Sequence, residues 1–522
     1  MNLLKTLASV SGMTLLSRIA GLVRETLTAR IFGAGATTDA FFIAFRIPNL
    51  LRRLFAEGAF SQAFIPLLAQ SKNTNGQDAT KALVDHVATV LFWVVSMITI
   101  LGIVFVNAVL AFMASGLMAG SEPYNQAALM TQIMFPYIVF MALSALFAGV
   151  LNTWKNFNTP AFTPVLLNLV LISSMIWLSP HMNPPILGLA IGVFVGGFVQ
   201  LAWQIPALRK IGMLPKISFN LAAAFRDAGV RRVLKQMVPA TLAVSVAQIS
   251  LIINTNIATH LGAGAVSWIT YADRLMEFPT AMLGVALGTI LLPSLSRAHS
   301  TSDEVEYKTI LNWGLRLTLL LALPSAVGLG CLSVALTSSL FHYGHFSAND
   351  VMKTSQALSM YAIGLVGLIA VKILAAAYYA KQDIKTPVKI AIVVLAATQG
   401  MNLIFVPIFG HAGLSLSIGL GACLNAAILC FLLARRGALG GAAGWLPFFT
   451  KLCLALLVLA LVAYGLGRQV DWLGLGQAVG FAPKIERLAT LFGIIIVSAG
   501  AYFAVLFGLG FRLRDFKLVA KG

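Results

Sequence analysis

The sequence predicts an all-α integral membrane protein of fourteen transmembrane helices: two parallel six-helix lobes around a central cavity, plus two extra C-terminal helices. Three observations predict it. Hydrophobic residues make up 59% of the 522 and charged residues only 10%, where soluble proteins run at about 45–50% apolar and roughly 25% charged. Apolar runs long enough to cross a bilayer, about 20 residues each, recur along the whole chain. One short pattern also occurs twice, in the same order.

The predicted spans are 7–31, 38–58, 84–112, 128–151, 160–179, 184–207, 234–260, 267–293, 309–334, 352–380, 386–407, 411–434, 449–467 and 488–511. Long apolar runs, rather than short alternating ones, select helices over a β-barrel. The first two spans are the least hydrophobic. The opening "MNLLKTLASVSGMTLLSRIAGLVRETL" reads as a retained first helix rather than a signal peptide. No A-x-A-like cleavage site follows it, and Ser17 and Arg18 interrupt its apolar stretch.

Orientation comes from the loops. The connection after the sixth span holds Arg209, Lys210, Lys216, Arg226, Arg231, Arg232 and Lys235; that after the twelfth holds Arg435 and Arg436; the tail has Arg512, Arg514, Lys517 and Lys521. The opposite loops "MASGLMAGSEPYNQA", "LGAGAVS" and "ALTSSLFHYGHFSANDV" contain no Lys or Arg. The positive-inside rule then puts both termini in the cytoplasm. The same distribution turns the net charge of +19 away from nucleic acid. One outer loop, Gly467–Arg487, breaks the pattern with Arg468, Lys484 and Arg487.

Small motifs exclude more than they assert. Cys331, Cys423, Cys430 and Cys453 lie in apolar runs without a CxxC pair, so no disulfide framework or zinc site is expected. His342 and His345 form an H-x-x-H on an outer loop and read as solvated side chains. No GxxxxGK[ST] is present, so no ATPase is expected by that signature. A polytopic glycosyltransferase would need catalytic carboxylates in sizeable loops, and the one dense acidic stretch, "TSDEVEYK", holds no D-x-D.

The repeat links the first two spans to the seventh and eighth. "GAGATTDAFFIAFRI" from Gly33 matches "GAGAVSWITYADRL" from Gly262; "AFRI" at Ala44 matches "ADRL" at Ala272; "FIPLLA" at Phe64 matches "LLPSLS" at Leu291. The offset drifts by one residue at each step. Six spans separate the copies, so they share an orientation and form a parallel repeat. The expected division is an N-lobe over 1–220, a C-lobe over 221–436, and the last two spans with the tail over 437–522.

Charges inside the spans mark the candidate site. A charged side chain at mid-bilayer costs roughly 2.5–3.5 kcal/mol on insertion scales. In span 1, Ser17, Gly21, Arg24 and Thr28 share one helical face, flanked by Arg18 and Glu25. In span 2, Asp39, Arg46, Asn49 and Arg53 form a stripe, with Arg52 and Glu57 flanking its cytoplasmic end. Span 8 carries Asp273, Arg274 and Glu277, with Ser267 one face-repeat before Arg274. These groups outline a hydrated, net-positive cavity between the lobes. The planar fork of arginine donates two hydrogen bonds at once, which suits phosphate, and several arginines together suit a diphosphate. The competing reading is local: Arg53 with Glu57 at i, i+4 and Arg274 with Glu277 at i, i+3, and arginines that snorkel to the interface.

Three stretches carry a family resemblance: "SRIAGLVRE" (Ser17–Glu25), "FGAGATTDAFFIAFRIPNLLRRLFAEGAFSQAFIPLLAQ" (Phe32–Gln70) and "YADRLMEFP" (Tyr271–Pro279). The chain resembles the MurJ (MviN) lipid II flippases of the MOP exporter superfamily, over its whole length. The resemblance implies movement of lipid II, the undecaprenyl-diphosphate-linked peptidoglycan precursor, from the inner to the outer leaflet of the bacterial cytoplasmic membrane. It implies alternating access, and a lipid-tail groove at spans 13 and 14. Its cavity residues map to Ser17, Arg18, Arg24, Asp39, Arg52 and Arg274, and its gate residues to Asn49, Glu57, Ser267, Asp273 and Glu277. It implies no catalytic residue, metal or cofactor, a drive from membrane potential or an ion gradient, and a monomer beside the cell-wall synthesis machinery. Some members bind sodium through carboxylates on helices that include span 11. Here "NLIFVPIFG" offers Asn402 but no acid, which puts sodium coupling in doubt. The alternative cargoes are another undecaprenyl-diphosphate-linked glycan or, less in keeping with an arginine-rich site, a cationic drug.

Overall fold

The computed structural model describes residues 3–53, 59–439, 444–477 and 482–512, and among them every regular element is helical. The chain forms two compact units, residues 1–266 and 267–522.

The first unit opens with α1 (Leu3–Phe32), α2 (Ala36–Arg52), α3 (Ala59–Thr74), α4 (Gly76–Val104) and α5 (Val106–Met113). α6 (Glu122–Met134), α7 (Tyr137–Thr153), α8 (Asn158–Ser173), α9 (Leu187–Lys210), α10 (Leu221–Arg226) and α11 (Ala228–Thr259) complete it. A turn through Gly33, at φ 68°, separates α1 from α2. That left-handed conformation costs glycine little, because it has no Cβ.

The core of this unit is built at α3, α4 and α7. Phe60, Phe64, Leu67 and Leu68 of α3 pack with Val84, Val87 and Leu91 of α4 and with Leu146 and Val150 of α7. Buried residues in α3 recur every three or four positions while Gln62, Pro66 and Gln70 stay exposed, the stripe of a helix with one covered face. Among the described residues of the stretch 45–70, α2 ends at Arg52 and the amphipathic α3 begins at Ala59.

α12 (Ala265–Ser300) leads into the second unit. It follows a turn in which Gly262 and Gly264 have φ of 98° and 94°, so both copies of the repeated G-A-G-A open on a positive-φ glycine ahead of a charged helix. After it come α13 (Glu304–Cys331), α14 (Ser333–Phe341), α15 (Ala348–Ala380), α16 (Lys385–Phe409) and α17 (His411–Arg435). α18 (Trp445–Arg468), α19 (Trp472–Gln477) and α20 (Ala482–Gly508) close the chain.

α15 and α17 cross in close contact. A Cβ on Gly364 would lie 2.1 Å from the Gly419 Cα, and one on Gly367 would lie 2.4 Å from the Cys423 nitrogen. Small residues at such crossings let backbones approach where no water is present to drive association. Tyrosines pin other pairs: Tyr307 Oη donates to the Ala377 carbonyl at 2.7 Å and Tyr502 Oη to the Leu320 carbonyl at 2.8 Å. Each buried hydroxyl thereby finds an acceptor, as burial requires.

Ten segments among the described residues are long and apolar enough to cross a membrane. The other four predicted spans fall on α1, α2, α11 and α12, so this measure gives ten rather than fourteen. Two loop readings change. His342, expected to be solvated, is buried, because Arg487 and Gly476 close over it: a Cβ on Gly476 would lie 2.0 Å from His342 Nδ1. Arg487, one of the charges that broke the loop pattern, is itself fully buried. It donates to Ser338 Oγ at 3.3 Å and to the His342 carbonyl at 3.4 Å, and lies 4.5 Å over the Tyr343 ring. It therefore acts as an internal brace rather than a surface charge.

Candidate functional site

In the first unit the predicted arginine face of α1 lies on α8. Arg24 Nη1 donates to Asn168 Oδ1 at 2.9 Å, and its Nη2 pairs with Glu25. Asn168 Nδ2 in turn donates to the Ser17 carbonyl at 3.1 Å. One amide thus satisfies both a guanidinium and a backbone carbonyl one helical stretch away. Glu25 is 5% exposed, and its charge is tolerated because the guanidinium lies against it; a buried carboxylate without such a partner is costly. Thr28 Oγ1 donates to the Arg24 carbonyl at 2.8 Å, on the same face. Ser17 is half-buried and Arg18 exposed.

Asp39 sits in the first turn of α2 and is 4% exposed. Its Oδ2 accepts the Gly264 N–H at 2.7 Å, a short, charge-assisted bond. The acceptor comes from one copy of the repeated pattern and the donor from the glycine turn of the other. At the far end of α2, Arg52 Nε donates to Asn49 Oδ1 at 3.1 Å, with both side chains half-buried. Glu57 lies outside the described residues.

The second unit carries the α12 residues. Ser267 is fully buried, Asp273 and Arg274 are half-buried, and Glu277 is exposed. Arg274 Nη1 and Glu277 Oε2 are 2.8 Å apart, the i, i+3 pairing that the local reading expected. Beside Ser267, Trp268 Nε1 donates to Asp350 Oδ1 at 2.9 Å and the indole packs 5.1 Å from the His411 ring. Asp350 also caps α15 in a reciprocal capping box with Ser347. The start of α12 is therefore fastened to α15 and α17. Further along, Lys372 Nζ donates to the Thr280 carbonyl at 3.3 Å. Gly284 makes room for it, since a Cβ there would lie 2.6 Å from Lys372 Cδ.

Within the first unit, then, Arg24 and the Ser17 backbone meet at Asn168, Asn49 and Arg52 meet on α2, and Asp39 stands at the Gly264 turn. Within the second, Arg274 and Glu277 meet on α12. Three residues that hold this frame, Asn168, Asp350 and His411, were not singled out in the sequence. Asn168 left a signal, as an amide in the apolar run "VLLNLVLI"; polar groups in such runs usually face inward. In span 11, where the lack of an acid put sodium coupling in doubt, Asn402 is buried and donates to Gln399 Oε1 at 3.0 Å. Among the described residues, no group of three or more His, Cys, Asp or Glu side chains is placed to hold a metal.

The family model described as "Lipid II flippase MurJ" matches residues 28–476. The lipid II flippase MurJ of Burkholderia cenocepacia is 55% identical over 521 residues, covering all of both chains. The chain belongs to the MurJ lipid II flippase family. A solved structure of lipid II flippase MurJ in an inward closed conformation superposes with a TM-score of 0.77 at 24% identity, covering 95% of this chain and 99% of that one. An inward-facing multidrug MATE transporter of the MOP superfamily superposes at 0.66 with 15% identity, over 81% and 94%. These likenesses place the fold among the MurJ and MATE transporters. With its ten apolar helices, the chain is a multi-pass membrane protein of a transporter family.

Proposed function

We propose that this chain flips lipid II from the inner to the outer leaflet of the bacterial cytoplasmic membrane. The observation that carries the reading is the full-length, 55% identity to the Burkholderia cenocepacia protein of that name. In the proposed mechanism the diphosphate is bound by Arg18, Arg24, Arg52 and Arg274, with Ser17 and Asp39 in the same cavity. Asn49, Glu57, Ser267, Asp273 and Glu277 gate it during alternating access. Support comes from chemistry. Arg24, Arg52 and Arg274 already spend guanidinium N–H groups on side-chain acceptors, and a phosphate offers the same acceptors with more charge. Binding would then be an exchange of partners, with little desolvation at that moment.

The protein acts as a carrier rather than an enzyme, needs no cofactor, works as a monomer beside the cell-wall synthesis machinery, and keeps both termini in the cytoplasm. Membrane potential supplies the drive, at roughly 2.3 kcal/mol per elementary charge per 100 mV. Unchanged transport after collapse of the potential in sealed vesicles would overturn that part.

The cargo is tested in cells depleted of this protein and lacking any second flippase, with outer-leaflet lipid II as the readout. Depletion should trap lipid II inside, the wild-type chain should restore export, and Arg24→Ala at equal abundance should not. Lipid II reaching the outer leaflet regardless would leave another undecaprenyl-diphosphate-linked glycan as the cargo.

A further inference from the structure

A second basic cavity lies wholly within the second unit and shares no lining residue with the cavity and gate sets named above. Its volume is about 560 Å³, and its walls include Asn312, Trp313 and Arg316 of α13, Phe448 and Lys451 of α18, and Phe511 beyond α20. That size is within the usual range of small-ligand sites.

Its polar groups are mostly donors in need of an acceptor. Arg316 Nε and Trp313 Nε1 are both sealed from solvent and have no hydrogen-bond partner among the described residues. Buried donors left in that state are costly, and native structures rarely keep two side by side. The guanidinium of Arg316 lies 5.0 Å over the Trp445 ring and 5.6 Å over Phe448. Stacking supports its flat face and leaves the two Nη groups, rather than the enclosed Nε, to face a ligand. Lys451 Nζ lies 5.7 Å over the Phe511 ring. No carboxylate among the described residues lines the cavity, and none pairs with either cation. Two cations, two orphaned donors and no acid select an anion.

Position narrows the choice. The cavity runs along the second to fifth turns of α13, the first two turns of α18 and the residues just past the end of α20, in the half of these helices that the loop charges assign to the cytoplasmic side. The chain enters α18 from the basic pair Arg435 and Arg436. Basic pockets between helices on such a face take lipid phosphates, and tryptophan is the residue type that anchors at that depth.

We propose that this cavity binds the phosphate of an anionic phospholipid headgroup, with Arg316 and Lys451 as its cations and Trp313 Nε1 as a neutral donor. It ties α13 to the α18–α20 pair through a lipid.

The test is lipid binding to the purified full-length chain by native mass spectrometry, with phosphatidylglycerol, phosphatidylcholine and inorganic phosphate as probes. Phosphatidylglycerol should bind more tightly than phosphatidylcholine. Arg316→Gln and Lys451→Gln should each weaken phosphatidylglycerol about fivefold and leave phosphatidylcholine unchanged. Trp313→Phe keeps the ring and loses only the N–H; it should weaken phosphatidylglycerol too, and it decides the matter if a charge variant does not fold. Equal phosphatidylglycerol affinity in wild type and Trp313→Phe, or equal binding of the two lipids, overturns the proposal. Displacement of phosphatidylglycerol by millimolar inorganic phosphate would overturn the lipid as the source and keep the phosphate site.

Discussion

Arg24 and Arg274 are both arginines within long helices, and they are held by different means. Arg24 reaches across to Asn168, 144 residues away in sequence, and lies against the buried Glu25. Arg274 pairs with Glu277 on its own helix, where half of the glutamate side chain is exposed. The first is fixed by the packing of α1 on α8. The second has a partner within one turn of its own helix, a pairing that a rotamer change can exchange. A charge meant to hold a ligand in place is best served by the first arrangement, and a charge meant to move by the second. In the proposed roles Arg24 is the fixed anchor, and Arg274 takes the diphosphate as its gate partner Glu277 lets it go.

The largest expected effect is at the anchor. Removing one member of a buried pair costs about 3–5 kcal/mol, so Arg24→Ala should lower thermal stability well beyond Arg274→Ala, in addition to abolishing export. Equal destabilisation by the two would erase the contrast. Next is Asn168→Leu, which leaves the Ser17 carbonyl and the Arg24 guanidinium each short of one partner. Unfolding measurements should show a loss of about 1–3 kcal/mol, with export falling in parallel. Glu277→Gln should cost at most about 1 kcal/mol, since exposed ion pairs are weak. A fall in export at unchanged stability would sharpen the assignment of Glu277 to a gate.

The smallest effect lies outside the spans. Asp383 accepts from Thr386 Oγ1 at 2.7 Å and from Arg436 at 2.9 Å. Burial pushes its carboxyl up, but the bonds from Thr386 and Arg436 outweigh that and hold it below the usual carboxylate value. Its stabilisation is therefore complete above the unfolded value, about pH 4, and is lost as pH falls through the lower folded value. Wild type should lose a few tenths of a kcal/mol across that window, whereas the stability of Asp383→Asn should show no such increment.

The membrane class and the helices were legible because apolar length and glycine turns are local signals. The G-A-G-A pattern marked both turns, and Arg274 with Glu277 was readable as a pair from spacing alone. The covered face of α3 was not. Span 2 was expected to end at residue 58 and no element was assigned to the residues after it; the covered face of α3, with Phe60, Phe64 and Leu68 buried, is made by partners in α4 and α7. Asn168, Asp350 and His411 were missed for a related reason. Their partners lie far away in sequence, and spacing carries no record of a contact made by packing. The same holds for Arg487, which looked like a loop charge and proves to be an internal brace.

The most direct test of the account is the amount of lipid II held by the purified chain, compared among wild type, Arg24→Ala and Arg274→Ala at equal folded fraction, with undecaprenyl monophosphate as the control lipid. The account predicts that both variants lose lipid II binding by about tenfold or more while monophosphate binding changes less. Lipid II bound equally by all three would contradict it, and the arginines of α1 and α12 would then serve the helices alone.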